Sequence, residues 1–114
     1  MYKISYLKIC LILFLVSPIS AQPLDLNDFE YNQSTLQSFY FFEVGTVDYE
    51  DITVEDWIGA FHGGICVGAR QWQGPYTDVP VMADDGSEWT DGYISMGVSP
   101  EFYIYDASND LVLP

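Results

Sequence analysis

The residue types that most often serve as nucleophiles or general bases are scarce in this sequence. His62 is the single histidine, and it is followed by the glycine pair Gly63 and Gly64. A histidine can act as a general base, but its position beside two glycines makes a turn-lining role the expected one. The sequence contains no Ser-His-Asp or Cys-His-Asn order around a nucleophile motif. It also lacks the His and Cys clusters of zinc sites.

Cys66 is the only cysteine apart from Cys10, which lies in an amino-terminal apolar run. A reactive thiol needs electropositive neighbours that favour the thiolate, and this chain is strongly acidic. We therefore expect Cys66 to be buried, unreactive and structural. After loss of the amino-terminal segment no second cysteine is left, so an internal disulfide cannot form.

Arg70 is the only Lys or Arg residue beyond the amino-terminal segment, because Lys3 and Lys8 both lie within it, whereas the chain has 17 Asp and Glu residues. This imbalance argues against nucleic-acid binding, which needs a basic footprint. It argues equally against adhesion to anionic membranes. The planar guanidinium suits paired contacts with a carboxylate, so we expect a structural salt bridge to a neighbouring strand, with ligand contact as the alternative.

Acidic residues concentrate in two short segments that could bind calcium. Calcium accepts about six to eight oxygen ligands in irregular geometry, and extracellular modules often bind it weakly. The candidate ligands are Asp48, Glu50, Asp51, Asp84, Asp85 and Glu88. A solvated acidic surface is the alternative.

Paired carboxylates could also hydrolyse glycosidic bonds. This abundance of acidic residues makes chance pairs unavoidable, however, and we expect no enzyme activity.

Four aromatic residues lie in or beside predicted loops, where rings can stack on sugars or anchor a protein partner. They are Trp72, Tyr76, Trp89 and Tyr93. Core and loop packing is the competing interpretation in a chain this rich in aromatics. We expect some of the four to be exposed if they form a binding platform.

Runs of residues that suit β-strands alternate with turn signals along the chain. Residues 37–44 carry apolar side chains on both faces, which favours a central strand. Residues 57–61 and 65–72 flank the glycine pair. Gly63 and Gly64 supply the positive φ angles that a tight hairpin turn requires, so a hairpin is expected there.

Further short strands are expected towards the carboxyl end. Pro80 cannot donate to a ladder, so it places the strand 79–83 at a sheet edge. Residues 102–105 form the last full strand, and 111–113 form a returning stub that indicates a truncated reading frame. No segment has a sustained helical period. The sequence therefore predicts an all-β fold, an antiparallel β-sandwich of immunoglobulin-like or jelly-roll-like type with little helix.

The amino terminus has the three-part pattern of a secretory signal peptide, in which a basic start and a short apolar run precede a small residue. The apolar run 9–16 is too short to anchor the chain in a bilayer. We expect cleavage after Ala21, export from the cell and no membrane insertion afterwards. The predicted organisation is a signal peptide over 1–21, a polar leader over 22–36 and one β-sandwich module over 37–114.

A series of short motifs spans nearly the whole mature chain. The motifs are YNQST at 31–35, FYFF at 39–42, DWIGAF at 56–61, CVGAR at 66–70, DVPVM at 78–82, DDG at 84–86 and FYIYDAS at 102–108. Together they resemble a β-rich module of large secreted or surface proteins from marine and Bacteroidetes-like bacteria. The resemblance implies a β-rich fold, an extracellular location and no catalytic role. Modules of this kind often carry two cysteines where this chain has residues 73–77, so the corresponding disulfide is missing here.

Three functions are compatible with the sequence. The leading one is a non-catalytic recognition or adhesion module, secreted or at the cell surface, that binds a glycan or another surface protein. The second is a structural spacer in a multidomain surface protein, and the third is a fragment of a glycan-acting hydrolase. Exposed aromatic side chains favour recognition, whereas fully buried ones favour the spacer. Calcium is the only cofactor considered.

Overall fold

The computed structural model describes residues 24–114, and the predicted signal peptide lies outside the described residues. The described part is an all-β fold, as predicted, with two 3₁₀ helices of three residues, Leu26–Asp28 and Glu88–Thr90. Its strands are β1 Gln37–Phe42, β2 Thr46–Val47, β3 Glu50–Asp51, β4 Trp57–His62, β5 Ile65–Gln71, β6 Thr77–Met82, β7 Glu101–Asp106 and β8 Leu111–Leu113. Between residues 24 and 114 there is no helix of the length and apolarity needed to cross a membrane.

The strands form three antiparallel sheets. The largest has four strands in the spatial order β5, β4, β7, β8, while β1 pairs with β6 and β2 pairs with β3. This arrangement confirms the all-β class and the low helix content. The finer immunoglobulin-like or jelly-roll-like sandwich stays a prediction.

The β4–β5 hairpin turns at the glycine pair, as the sequence predicts. Gly63 and Gly64 have φ angles of 56° and 82°, which L side chains rarely adopt and which a two-residue hairpin turn needs. Close to the turn the register skips Val67, because Ala60 pairs with Gly68 and Phe61 pairs with Cys66. This β-bulge twists the hairpin.

One core cluster lies between the β1–β6 sheet and the four-stranded sheet. Its buried members include Ile58, Val67 and Val79 from β4, β5 and β6. At the β1 side, the Phe102 ring of β7 packs edge to face against Tyr40 and Phe42, with centroid distances of 5.1 and 4.9 Å. Such edge-to-face pairs add to the stabilisation that burial itself provides.

A second cluster covers the opposite face of the four-stranded sheet. Phe29 is buried there, and its ring lies edge to face on Phe61 and Tyr105. Gly59 makes room for this ring, since a Cβ at that position would lie 2.7 Å from the Phe29 ring. The segment predicted to be a polar leader therefore contributes an apolar anchor to the core.

Strand β1 is not the central strand that the sequence predicts. Within the described range 24–114 it pairs with β6 alone. Phe39 and Phe41, which share its outer face, are exposed. The prediction was wrong because an apolar pattern on both faces was read as burial on both faces. The prediction for Pro80 is confirmed, because among the described residues β6 has no ladder on the side opposite β1.

Strands β5 and β6 approach so closely that only glycine fits between them. A Cβ on Gly68 would lie 1.6 Å from the backbone oxygen of Pro80. Two residues away, Arg70 donates from Nε to the Asp78 backbone oxygen at 2.9 Å and from Nη2 to its carboxylate at 3.1 Å. This is the predicted salt bridge to a neighbouring strand. Both side chains are about one-third exposed, so the pair contributes little energy by itself and mainly fixes the strand crossing.

We expect Gly68→Ala to lower the free energy of unfolding by about 2–3 kcal/mol, because the added methyl group forces β5 away from β6. Urea unfolding followed by far-UV circular dichroism measures the loss. Gly63→Asn is the matched control, since Gly63 has open space around its Cβ position and asparagine tolerates a left-handed backbone. Equal stability of Gly68→Ala and wild type would contradict the close approach of β5 and β6 at this position.

Candidate functional site

Two of the four aromatic residues predicted to bind a ligand belong to the core. Trp72 is 6% exposed and Tyr93 is 8% exposed, and both pack in the cluster between the sheets. The Tyr93 hydroxyl accepts a hydrogen bond of 2.7 Å from the Asn32 backbone N–H. A buried ring that already has its polar partner is not available to a ligand.

The other two aromatic residues are exposed but lie in different places. Tyr76 is 65% exposed, and its backbone N–H bonds to the Phe42 carbonyl at the end of β1. Trp89 is 66% exposed and lies in the second 3₁₀ helix, where its carbonyl accepts from the Asn32 side chain. The structure therefore does not bring the four predicted residues together into one platform.

An exposed aromatic pair on β1 takes the place of that platform. Phe39 is 48% exposed and Phe41 is 68% exposed, and they lie on the same face of the strand because side chains alternate. On β6 they stand opposite Pro80 and Asp78. Side-chain alternation is enough to place both phenyl rings on one face of the strand, but a central strand would have buried them.

Within residues 24–114, the backbone of β1 has one paired edge and one free edge. The carbonyls of Leu36 and Phe42 accept hydrogen bonds from Ala83 and Tyr76, both next to β6. Because hydrogen-bonding direction alternates along an antiparallel strand, the even-numbered residues of β1 face β6. The N–H and C=O groups of the odd-numbered residues, Gln37, Phe39 and Phe41, face away from it. Phe39 and Pro80 therefore form a non-hydrogen-bonded pair, so this ladder does not need the N–H that proline lacks.

A cavity of about 240 Å³ lies against the inner face of β1. Ser38 and Tyr40 of β1 line it together with Ile94 and the loop that follows. Two apolar side chains of that loop, Met96 and Val98, are exposed. The surface around β1 therefore offers phenyl rings on one face and a partly apolar cavity on the other.

The second predicted calcium segment uses its carboxylates to organise its own loop. Asp85 accepts hydrogen bonds from the backbone N–H groups of Thr35 and Ser87, at 3.0 Å each, and from the Thr90 hydroxyl at 2.8 Å. Asp84 accepts from the Gly86 N–H at 2.9 Å. These bonds hold the pKa of Asp85 well below its ordinary value of 3.8. The role of these two carboxylates in the structure is to cap backbone donors.

The first predicted calcium segment lines a cavity of about 280 Å³. Asp48, Glu50 and Asp51 contribute to it, together with Asp56 and Asp106. Asp56 accepts hydrogen bonds from the N–H groups of Thr53 and Ala107, and Asp106 accepts from Ser108 and Asn109. Across residues 24–114, no three His, Cys, Asp or Glu residues are grouped closely enough to hold a metal ion.

Cys66 and His62 have the structural positions that the sequence predicts. Cys66 is buried and free, and its thiol contacts the Gly68 carbonyl at 3.3 Å. Burial raises the pKa of the Cys66 thiol to about 11, so almost no thiolate forms at neutral pH. His62 ends β4 at the hairpin turn.

A scan against protein-family models and searches of curated proteins and of solved structures find no match to this chain.

We expect the stability of the protein to fall as the pH drops below the ordinary aspartate pKa of 3.8. The folded state keeps Asp85 ionised, so the unfolded state binds the proton more readily and gains on acidification. Hydrogen bonds from Ser108 and Asn109 lower the pKa of Asp106 as well, which acts in the same direction. Urea midpoints measured between about pH 6 and about pH 3 follow the loss.

Asp85→Asn tests whether the Asp85 carboxylate causes this pH dependence, because an amide cannot reproduce all the hydrogen bonds that the carboxylate accepts. The variant should be less stable than wild type near neutral pH and should lose less of its stability on acidification. Asp91→Asn, at an exposed aspartate of the same loop region, should retain the wild-type pH dependence. An Asp85→Asn variant with an unchanged acid slope would contradict the proposed role of the carboxylate.

Proposed function

We propose that this chain is a non-catalytic recognition module that acts outside the cell and binds a partner protein through the outer face of β1. The observation that carries the proposal is the exposed pair of phenyl rings, Phe39 and Phe41. Both lie on a regular strand that is held by β6. Interfaces are commonly built from rigid aromatic anchors of this kind.

The exposure of this pair is unfavourable unless a partner covers it. Each phenyl ring in water forgoes the stabilisation of burial, about 2–3 kcal/mol when the burial is complete. Contiguous exposed apolar patches on soluble proteins commonly mark interaction sites. Phe39 and Phe41 carry no polar group at the ring, so the patch suits apolar side chains of a protein better than the hydroxyl groups of a sugar.

Export is supported by the basic and apolar pattern before Ala21 and by the resemblance to secreted modules. The recognition role gains further support from the charge of the chain, which is −14 at neutral pH. A large negative charge keeps a protein soluble despite exposed phenyl rings and selects partners of positive charge.

Glycan binding is the second candidate, and Trp89 favours it. Its indole is exposed in a polar loop that also contains Asp91. The Asn32 side chain lies beside this loop and donates to the Trp89 carbonyl. A flat aromatic ring beside hydrogen-bonding groups can stack on a sugar ring. This candidate involves a different surface from the phenyl pair, so the two functions can be separated by mutation.

Calcium binding is a secondary proposal that we confine to Asp48, Glu50 and Asp51, since the carboxylates of Asp84 and Asp85 accept internal hydrogen bonds. It would require these three side chains to move closer together. Binding to the folded state alone would raise the melting temperature. In calorimetry, calcium chloride should then raise the melting temperature more than sodium chloride of equal ionic strength does. Identical shifts in the two salts would contradict calcium binding.

We expect the protein to bind members of a peptide array, and we expect a Phe39→Ser, Phe41→Ser double variant to bind them at least about tenfold more weakly. Loss of aromatic anchors at the centre of an interface commonly costs about 2 kcal/mol or more. The melting temperature should change little, because both rings are exposed in the folded state. Val54→Ser removes an exposed apolar side chain elsewhere and should leave binding intact.

The same labelled protein is applied to a glycan array, so that the competing functions give different results. Glycan binding that Trp89→Ala removes and the phenyl variant leaves unchanged would favour sugar recognition instead. No binding on either array would overturn the recognition proposal and favour the structural spacer.

A further inference from the structure

The free edge of β1 lacks the features that normally keep a strand edge from pairing. Proteins usually protect such edges with charged residues, proline, bulges or a covering element. Strand β1 reads QSFYFF from Gln37 to Phe42, without a charge or a proline. In the part of the chain that the structure describes, β6 is its single pairing partner. The outward N–H and C=O groups of Phe39 and Phe41 therefore form a template for another strand.

The space beside this edge suits the two faces of an added strand. Side chains on its outer face would lie next to the rings of Phe39 and Phe41. Side chains on its inner face would enter the cavity lined by Ser38 and Tyr40. Alternation of side chains thus supplies both contacts from one extended segment.

The four-stranded sheet also extends beyond the β1–β6 sheet that covers it. Strand β1 lies over β7 through the contact of Tyr40 with Phe102, and β8 is the next strand outward. Leu111 of β8 is exposed. An additional strand next to β1 would lie over this uncovered part of the larger sheet.

The charge distribution along β1 indicates the chemistry of the occupant. Glu43 directly follows the strand, and the cavity lined by Asp48, Glu50 and Asp51 lies beyond that end. At the opposite end, the nearest carboxylate, Asp85, already accepts hydrogen bonds from Thr35 and Thr90. The neighbouring loop there exposes the apolar side chains of Met96 and Val98. A segment that is apolar along most of its length and basic at one end is therefore complementary to the site.

A second copy of this chain is a poor occupant. It would bring the same 17 Asp and Glu residues to the interface, and the acidic ends would raise the free energy of the pair. An antiparallel pair of β1 strands would also place each Glu43 opposite Gln37 and leave it without a cation.

We infer that the β1 edge binds an extended, basic and apolar segment of a partner polypeptide by antiparallel strand addition, with the basic residues beside the Phe42 end. The inference rests on the proposed recognition function and deepens it by naming the partner chemistry and the mode of binding. Backbone hydrogen bonds give this mode its affinity, and alternate side chains give it specificity. In antiparallel pairing the amino-terminal end of the segment lies at the Phe42 end of β1.

The test uses a fluorescent peptide in which two lysines precede alternating threonines and valines, with binding to the full protein measured by anisotropy. We expect binding that weakens at least about tenfold when alternate backbone nitrogens of the peptide are methylated. Glutamates in place of the lysines, or lysines moved to the carboxyl end, should also weaken binding at least about tenfold. Equal affinity of the methylated peptide would overturn strand addition.

A pair of protein variants separates backbone pairing from side-chain contact. Phe39→Ala and Phe39→Pro both remove the ring, but only proline removes the outward N–H. Because this N–H faces away from β6, both variants should fold, and far-UV circular dichroism checks this. We expect Phe39→Pro to bind the peptide at least about tenfold more weakly than Phe39→Ala.

The outcomes distinguish this inference from the broader function. Equal affinities of Phe39→Pro and Phe39→Ala, with array binding still dependent on the phenyl rings, would overturn strand addition and leave recognition intact. Failure of the phenyl double variant to weaken peptide-array binding would overturn protein recognition through β1 itself. Sedimentation that shows a wild-type dimer, dissociated by Phe39→Pro, would overturn the basic partner in favour of a second copy.

Discussion

The crossing of β5 and β6 is the contact on which the rest of the arrangement depends. Gly68 lets the Pro80 carbonyl approach without a clash, and Arg70 binds the Asp78 carbonyl next to it. Strand β5 thus occupies the side of β6 that has no ladder. The other side of β6 pairs with β1, so the second edge of β1 points away from both β5 and β6. The approach of β5 to one side of β6 therefore fixes the side on which β1 pairs.

The local features of the fold could be predicted because neighbouring residues determine them. A glycine pair between two apolar runs predicts a hairpin, and the positive φ angles of Gly63 and Gly64 confirm it. Pro80 predicts an edge because proline lacks a donor. The salt bridge of Arg70 could be predicted because the chain offers that guanidinium many carboxylates and few competing cations.

The binding surface could not be predicted in the same way, because exposure depends on contacts between distant segments. Strand β1 has apolar residues on both faces, but the structure covers only the face that carries Tyr40. Trp72 flanks a loop in the sequence and is nevertheless buried between the sheets. Likewise, Asp85 resembles a calcium ligand in the sequence, but its partner Thr35 is distant along the chain. Only the tertiary arrangement distinguishes exposed binding residues from core residues and from carboxylates that hold a loop together.

Hydrogen exchange of individual amides in β1, measured by NMR on the free protein, tests whether the outer edge of this strand is unpaired. The N–H groups of Ser38 and Tyr40 face β6, whereas those of Phe39 and Phe41 face solvent. We expect slow exchange for Ser38 and Tyr40 and fast exchange for Phe39 and Phe41, since only the first two are hydrogen-bonded. Slow exchange at Phe39 and Phe41 would show that the edge is already paired and would contradict its role as a binding site.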